Sequence, residues 1–156
     1  MTDAIDSASV AGHAQRQRML NACWAVYERR ARVAYSQARP SQLLNHLLPV
    51  RFGAARITEA DCSGLVAIGC DWAGIRKDVD WRYVNTWVLQ RLFPHETPLE
   101  RAVPGDLVFY GPSSSDPHHV AVYRGDGEVL TNGHHPISRE RVDYRGDRIH
   151  IRAVLP

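Results

Sequence analysis

One cysteine of the chain, Cys62, stands where a thiol can act as a nucleophile. It is the second residue of a run, residues 61–74, that begins with Asp61, has helical spacing of apolar residues and closes with a glycine. A thiol in the first turn of a helix lies beside unpaired amides and the positive end of the helix dipole, which favour the thiolate. The alternative is a small buried hydrophobic residue, which is what most free cysteines are.

A cysteine nucleophile needs a base, and two adjacent histidines are candidates. His118 and His119 open the apolar run Val120–Tyr123, which predicts a β-strand. Successive strand residues point to opposite faces of a sheet, so only one of the two histidines can face a given site.

The turn after this strand decides which polar residue could orient the base. Asp126 and Gly127 form a step typical of a two-residue hairpin. In that register Asn132 and His134 lie on the face of His119, and either could hold its ring by a hydrogen bond. A three-residue turn would shift the pairing by one and point both away.

The same residue types could bind a metal, but their spacing does not favour it. There is no Cys-x-x-Cys and no histidine pair at helical i, i+4 spacing. The three cysteines cannot all pair, and Cys62 and Cys70 would lie about 12 Å apart along one helix, too far for a disulfide. We therefore predict reduced thiols and no metal.

The remaining pattern predicts a single α+β domain over residues 11–156, after a disordered lead over residues 1–10. An antiparallel sheet should follow a set of helices, with Cys62 on a central buried helix packed against the sheet. The predicted helices are His13–Val33, a short one between Pro40 and Pro49, residues 61–74 and Trp81–Leu92. The predicted strands are Asp106–Tyr110, His119–Arg124, Glu128–Thr131 and Arg148–Val154, and Arg51–Ala60 is irregular.

Composition excludes two classes of function. The 156 residues carry a net charge of +2, which is too small to indicate a nucleic-acid partner. The arginines of the first predicted helix are expected to form its solvent-exposed face. No run of 18 apolar residues predicts membrane insertion, and the first residues lack the order of a signal peptide. The expected product is made in the cytoplasm.

Three blocks of the sequence resemble the signature segments of the NlpC family of papain-like cysteine peptidases. They are Asp61–Val66, Pro104–Tyr110 and His119–Gly127, and the resemblance extends over about residues 30–155. The segments Tyr35–Gln37, Thr131–Gly133 and Asp143–Asp147 are most similar to the branch found in phage endolysins.

The resemblance implies a role for each candidate residue. Cys62 matches the nucleophile and His119 the base, while Asn132 takes the third, orienting position, with His134 as the alternative. Upstream and flanking residues match positions that contact substrate or the oxyanion, namely Tyr35, Asp61 and Ser63.

The implied activity is hydrolysis of an amide bond in the peptidoglycan stem peptide, commonly the bond from D-glutamate to diaminopimelate, with no metal or organic cofactor. Such an enzyme is made in the host cytoplasm and reaches the wall through a holin or in a phage particle, where other virion proteins would be partners. Two alternatives remain open: an amidase or acyltransferase of the same fold, and a non-catalytic wall-binding or virion module.

Overall fold

The computed structural model describes residues 2–39, 58–133 and 137–155. These contain three α-helices, α1 (Thr2–Glu28), α2 (Cys62–Ala73) and α3 (Thr86–Leu92). Single 3₁₀ turns lie at Arg30–Arg32, Trp81–Tyr83 and Leu99–Arg101. The strands are β1 (Val33–Tyr35), β2 (Thr58–Ala60), β3 (Glu96–Thr97), β4 (Leu107–Gly111), β5 (His119–Gly125), β6 (Glu128–Thr131), β7 (Ser138–Arg141) and β8 (Arg148–Arg152).

Six strands form one antiparallel sheet in the order β3-β8-β4-β5-β6-β7, and β1 pairs with β2 in a separate parallel ribbon. Helices α1 and α2 pack on one face of the large sheet, and the predicted α+β architecture with a central helix is confirmed. No helix among the described residues is long and apolar enough to cross a membrane.

Helix α2 begins and ends as its sequence predicts. The carboxylate of Asp61 accepts a hydrogen bond from the amide of Gly64, which makes Asp61 the N-cap. Gly74 ends the helix with a φ of 69°, a left-handed conformation in which its amide contacts the carbonyls of Cys70 and Asp71. Ten of the twelve residues of α2 are buried, so the helix lies in the core from its first residue.

Helix α1 crosses α2 closely because Gly69 has no side chain. Met19 and Cys23 of α1 are fully buried where α1 packs on α2. Cys70 of α2 is also fully buried. A Cβ atom on Gly69 would lie 2.8 Å from Cys23 Sγ and 3.0 Å from Met19 Cγ. Cys23 and Cys70 are therefore core residues, as predicted, and none of the three cysteines forms a disulfide.

The start of the chain differs from the prediction. Helix α1 begins at Thr2, so residues 2–10 are helical where we predicted a disordered lead, and it ends at Glu28 instead of Val33. The early residues include no glycine or proline before Val10, and Asp3 and Asp6 suit a helix N-terminus. Val33 instead begins β1, because the chain turns through Arg30–Arg32 to pair with β2.

One further element differs from its prediction, and another cannot be compared with it. Trp81–Leu92 is a 3₁₀ turn followed by α3, because the side chain of Asn85 accepts from the amide of Val88 and starts a new helix there. The short helix predicted between Pro40 and Pro49 lies outside the described residues.

All four predicted strands are present, but the sheet also contains β3 and β7. Strand β7 has the sequence Ser-Arg-Glu-Arg and lies at an edge of the sheet, where charged residues are common and no apolar alternation marks a strand. Strands β1 and β2 have three residues each, and β2 ends the stretch that we predicted to be irregular.

The β5–β6 hairpin has the predicted turn with a different register. Asp126 and Gly127 both have positive φ, 53° and 72°, as a tight two-residue turn requires. The pairing slips between Tyr123 and Gly125, so Ala121 pairs with Thr131 instead of Asn132. This bulge corrects our prediction, since it places Thr131 on the face of His119 and turns Asn132 to the opposite face.

We expect Gly69→Ala to destabilise the protein by about 1–3 kcal/mol, because the added methyl overlaps Cys23 and Met19 in a packed interface. Gly12→Ala is the matched control, since Gly12 also lies in a helix but its added Cβ would meet only Leu155 Cδ1, at 3.9 Å. Chemical denaturation measures both changes. Equal stability for the two variants would contradict the close crossing. Adding Cys23→Ala to Gly69→Ala should recover part of the lost stability, because it removes the sulfur that the new methyl overlaps.

Candidate active site

Cys62 is the first residue of α2 and is 7% exposed, at the floor of a cleft of about 550 Å³. Its Sγ lies 3.7 Å from Thr86 Oγ1 on α3, and the backbone amides of Val120 and Ser63 also hydrogen-bond the sulfur. The thiol is thus held by α2, α3 and the start of β5.

Burial raises the pKa of the Cys62 thiol above the ordinary value of 9.0, and the nearby Asp61 carboxylate raises it further. The hydrogen bonds from Val120, Thr86 and Ser63 lower the pKa by less. The position at the helix N-terminus is as predicted, but it does not by itself produce a thiolate. Burial and the Asp61 charge thus both oppose ionisation of the thiol.

His119 is the first residue of β5 and is 5% exposed. Its Nε2 forms a hydrogen bond with Thr131 Oγ1 of β6, and the same nitrogen lies 3.1 Å from Tyr144 Oη. The two hydroxyl groups are 3.3 Å apart. The imidazole is therefore held at Nε2 by two hydroxyl groups, neither of which the sequence singled out.

Asn132, the predicted orienting residue, is placed differently. It is 2% exposed, and its Nδ2 donates to the carbonyl oxygens of Ala60 at 3.0 Å and Asp61 at 3.2 Å. The bulge in β5 is the physical reason, because it turns Asn132 toward the segment before Cys62. Asn132 therefore fixes the backbone that carries the nucleophile. The alternative, His134, lies outside the described residues.

Asp61 and Ser63 belong to a buried ionic network with Arg39. Arg39 Nη2 lies 2.9 Å from both Asp61 Oδ2 and Ser63 Oγ, and Ser63 Oγ donates to Asp61 Oδ1 at 2.9 Å. Other nitrogens of Arg39 donate to the carbonyls of Gln37, Ala38 and Val84. A carboxylate that is only 6% exposed requires such a cation, so Arg39 offsets the burial of Asp61.

Tyr35 ends β1 beside Ala60, and its side chain lines the same cleft as Cys62. Its hydroxyl accepts a hydrogen bond from Gln37 Nε2 at 3.1 Å. Partial burial raises the pKa of Tyr35, so the phenol is neutral at physiological pH.

The cleft brings together most of the predicted site residues, Tyr35, Asp61, Cys62, Ser63 and His119, but not Asn132. Sequence reasoning missed five residues of this region that bind the predicted ones or line the cleft: Arg39, Thr86, Thr131, Tyr144 and Arg145. Tyr144 and Arg145 lie in the segment Asp143–Asp147 that we noted, so a signal existed without a role attached.

His118, adjacent to the base, lies at the rim of the cleft. Its side chain is 56% exposed, and its Nε2 lies 3.2 Å from the carboxylate of Asp116. His118 precedes β5, and both histidines line the cleft, but only His119 is buried. Among the described residues, no three histidine, cysteine or acidic side chains cluster in a way that could hold a metal ion.

The comparisons with known proteins identify the family of the chain. The sequence matches the NlpC/P60 family over residues 48–152, more than half of its length. The chain therefore belongs to the NlpC/P60 family. A curated relative is the tail tip assembly protein K of Escherichia phage lambda, 37% identical over 79 residues that cover 45% of this chain and 40% of that protein. The match thus spans less than half of the relative's length.

Solved structures share the fold at lower identity. The P60 domain of an antigen from M. avium subspecies paratuberculosis superposes with a TM-score of 0.62 at 20% identity, covering 93% of this chain and 98% of that one. The peptidoglycan hydrolase RipB of Mycobacterium tuberculosis gives 0.60 at 18% identity, over 94% of this chain and 68% of RipB. RipD of the same organism is a non-catalytic NlpC/p60 domain protein adapted to peptidoglycan binding. It superposes with a TM-score of 0.60 at 17% identity, covering 90% of this chain and 98% of RipD.

Replacing Asn132 with alanine should destabilise the protein by about 1–3 kcal/mol, since two buried carbonyls lose a donor. Asn21→Ala is the matched control, because Asn21 is exposed on α1 and alanine favours a helix there. Thermal or urea unfolding measures the difference. A stability for Asn132→Ala within 0.5 kcal/mol of that of the wild type, roughly the scatter of surface substitutions, would show that the amide does not hold the segment.

The raised pKa of Cys62 predicts how its alkylation depends on pH. The rate with iodoacetamide should still be rising at pH 9.0, the ordinary thiol pKa, because only the thiolate reacts. Asp61→Asn keeps an N-cap side chain and removes the negative charge, so its profile should shift to lower pH. Peptide mass spectrometry separates Cys62 from the fully buried Cys23 and Cys70. A profile for Asp61→Asn that coincides with wild type would contradict the charge effect.

Proposed function

We propose that this protein is a peptidoglycan hydrolase that cleaves an amide bond of the stem peptide with Cys62 as nucleophile and His119 as base. The observation that carries the proposal is the placement of the Cys62 thiol and the His119 imidazole on one cleft, at the start of a buried helix. Membership of the NlpC/P60 family supports it, since a solved structure of this fold is a peptidoglycan hydrolase.

In the proposed first step, the thiol proton of Cys62 passes to His119 while the sulfur attacks the amide carbonyl. Nε2 of His119 is held by Thr131 and Tyr144, so we assign the proton transfer to Nδ1. The carbon–sulfur bond forms, the carbon–nitrogen bond breaks, and the imidazolium returns its proton to the leaving amine.

In the second step a water molecule gives its proton to His119, and its oxygen attacks the acyl carbon. The carbon–sulfur bond breaks, the acid leaves, and Cys62 regains the proton from the imidazolium. This reaction needs neither metal nor organic cofactor. Thr131 takes the orienting position for which we predicted Asn132.

The start of α2 supplies a donor for the oxyanion. The amide of Gly64 is bound by the Asp61 side chain, that of Leu65 by the Asp61 carbonyl, and that of Ser63 by the Cys62 sulfur, so we assign the oxyanion donor to the amide of Cys62. Loss of one such donor typically costs about 10²–10³ in rate.

The stem peptide fits the polar character of the cleft. Tyr35, Asp61 and Ser63 offer hydrogen-bonding groups in the cleft, and Arg145, which pairs with Asp147 at 2.8 Å, lines the same cleft. Stem peptides carry several carboxylates, and cationic walls favour their binding. We assign the bond cleaved as that from D-glutamate to diaminopimelate.

The relative named as a phage tail tip assembly protein supports a place in the virion. We propose that the chain is made in the host cytoplasm, joins other virion proteins at the tail and acts on the wall from there. An endolysin released through a holin is the alternative delivery route.

A non-catalytic, peptidoglycan-binding role is the second candidate. It is favoured by one observation, the burial of Cys62, which is 7% exposed, and RipD shows that the fold can serve binding alone. An amidase or acyltransferase would differ in its products.

The test incubates purified sacculi with wild type, Cys62→Ala and Cys70→Ala, and identifies soluble fragments by mass spectrometry. We expect newly cut stem amides with wild type and with Cys70→Ala, and a loss of at least about 10³-fold with Cys62→Ala, the usual cost of removing a covalent nucleophile. Cys70 is the matched control because it is a buried thiol remote from the cleft.

The products decide among the alternatives. Fragments from wild type and Cys62→Ala alike would overturn the thiol mechanism. No fragments from sacculi of several wall chemistries, with binding retained in Cys62→Ala, would establish the non-catalytic role. New amide bonds to an added amine would indicate an acyltransferase.

A further inference from the structure

The segment between β7 and β8, residues 142–147, passes beside the candidate base and is here called the strap. Its first residue, Val142, donates its amide to the Gly127 carbonyl and accepts from Tyr110 Oη, both at 2.8 Å. Backbone bonds from Tyr144 to Arg141 and from Gly146 to Asp143 close its turns. The strap is therefore fixed at its first residue, both to the β5–β6 turn and to Tyr110 of β4.

The strap places one hydroxyl on the imidazole. Tyr144 Oη lies 3.1 Å from His119 Nε2 and 3.3 Å from Thr131 Oγ1. The ring of Tyr144 packs edge-on against Tyr110 at 5.6 Å, and the ring of Tyr110 lies 5.7 Å from that of His119. Three aromatic rings thus restrict the direction in which the hydroxyl points.

A count of protons shows what the second hydroxyl adds. Each hydroxyl offers one donor and can accept through oxygen, whereas Nε2 either carries one hydrogen or accepts one. When His119 is protonated, Nε2–H donates to Thr131 Oγ1, and the Thr131 hydrogen can turn to Tyr144 Oη. Tyr144 thus completes a chain of hydrogen bonds. The chain also forms when the neutral ring carries its hydrogen on Nε2, but it is stronger when the ring is charged, because hydrogen bonds from a charged donor are stronger.

We propose that Tyr144 is a positioning residue that, with Thr131, holds Nε2 of His119 and stabilises the imidazolium formed when Cys62 loses its proton. The inference rests on the proposed function for its catalytic consequence. Its structural part, an effect of the Tyr144 hydroxyl on the protonation of His119, stands without a substrate.

Several ionisable or charged groups surround the base and bear on its titration. Cys62 faces the cleft from α2, Tyr110 packs from β4, and Tyr144 and Arg145 come from the strap. His118 immediately precedes β5. Tyr144→Phe changes none of the other charges, since it removes only a neutral hydroxyl.

The test is an NMR titration of the His119 ring in wild type, Tyr144→Phe and Thr131→Val, with His119→Gln to assign the signal. We expect the pKa of His119 to fall by about 0.5 unit in each variant, the size of one modest hydrogen bond to the charged form. Thr131→Ser should restore the wild-type titration, because it keeps the hydroxyl.

Tyr123→Phe is the matched control for Tyr144→Phe. Tyr123 Oη accepts from the Gly127 amide in the β5–β6 turn, so its removal affects the sheet and should leave the titration of His119 unchanged. Thermal unfolding checks that all variants are folded.

Hydrolysis of soluble wall fragments gives the second readout. In Tyr144→Phe the acid side of the pH profile of kcat should move to lower pH with the pKa of His119, and kcat should fall about 3–10-fold at unchanged KM, the cost of a less well oriented base. A merely structural role would lower stability without moving the profile.

The outcomes separate this inference from the proposed function. A wild-type His119 titration in folded Tyr144→Phe overturns the inference, whatever the enzyme does. A shifted titration in a protein that releases no wall fragments supports the inference about Tyr144 and overturns the hydrolase function instead.

Discussion

The buried carboxylate of Asp61 is the interaction on which the site depends. It caps α2 through the Gly64 amide, binds the Ser63 hydroxyl and pairs with Arg39, so one side chain fixes the helix start, a cleft residue and the segment that follows β1. A charge at this depth is tolerated only with a cation and hydrogen bonds, and Arg39 in turn binds three backbone carbonyls. After burial, the same charge is the second cause that raises the pKa of Cys62, so the group that builds the site also opposes ionisation of its thiol.

The end of β6 connects the two halves of the site. Its last residue, Thr131, and the next residue, Asn132, point to opposite faces of the sheet. Thr131 points to the face of His119, while Asn132 points to the other face and binds the carbonyls of Ala60 and Asp61. The bulge between Tyr123 and Gly125 sets the register, and so determines that Thr131 faces His119 and that Asn132 faces the other way. A sheet without that extra residue would exchange the two side chains, leaving the segment before Cys62 without its amide donor.

The sequence determined the local elements better than the contacts between them. Helix α2, its cap and the tight turn at Asp126–Gly127 follow from side-chain chemistry within a few residues, and these predictions are confirmed. The bulge depends on how the sheet twists and packs, for which the sequence of β5 carries no separate signal, so the partner of the base was wrongly placed. Arg39 was missed for a related reason, since its partners Asp61 and Ser63 lie more than twenty residues away.

Hydroxyl groups at Nε2 place a particular demand on the surrounding structure. An acceptor-only group would force a hydrogen onto Nε2, whereas a hydroxyl can donate as well as accept and so permits either tautomer. The preference must then come from geometry, which requires each hydroxyl to be held by its own support. Thr131 is held within the β5–β6 pairing, and Tyr144 by the strap and by the ring of Tyr110, whose hydroxyl binds Val142. The outer face of the sheet thus orients the base, while its inner face, packed on α2, supports the nucleophile.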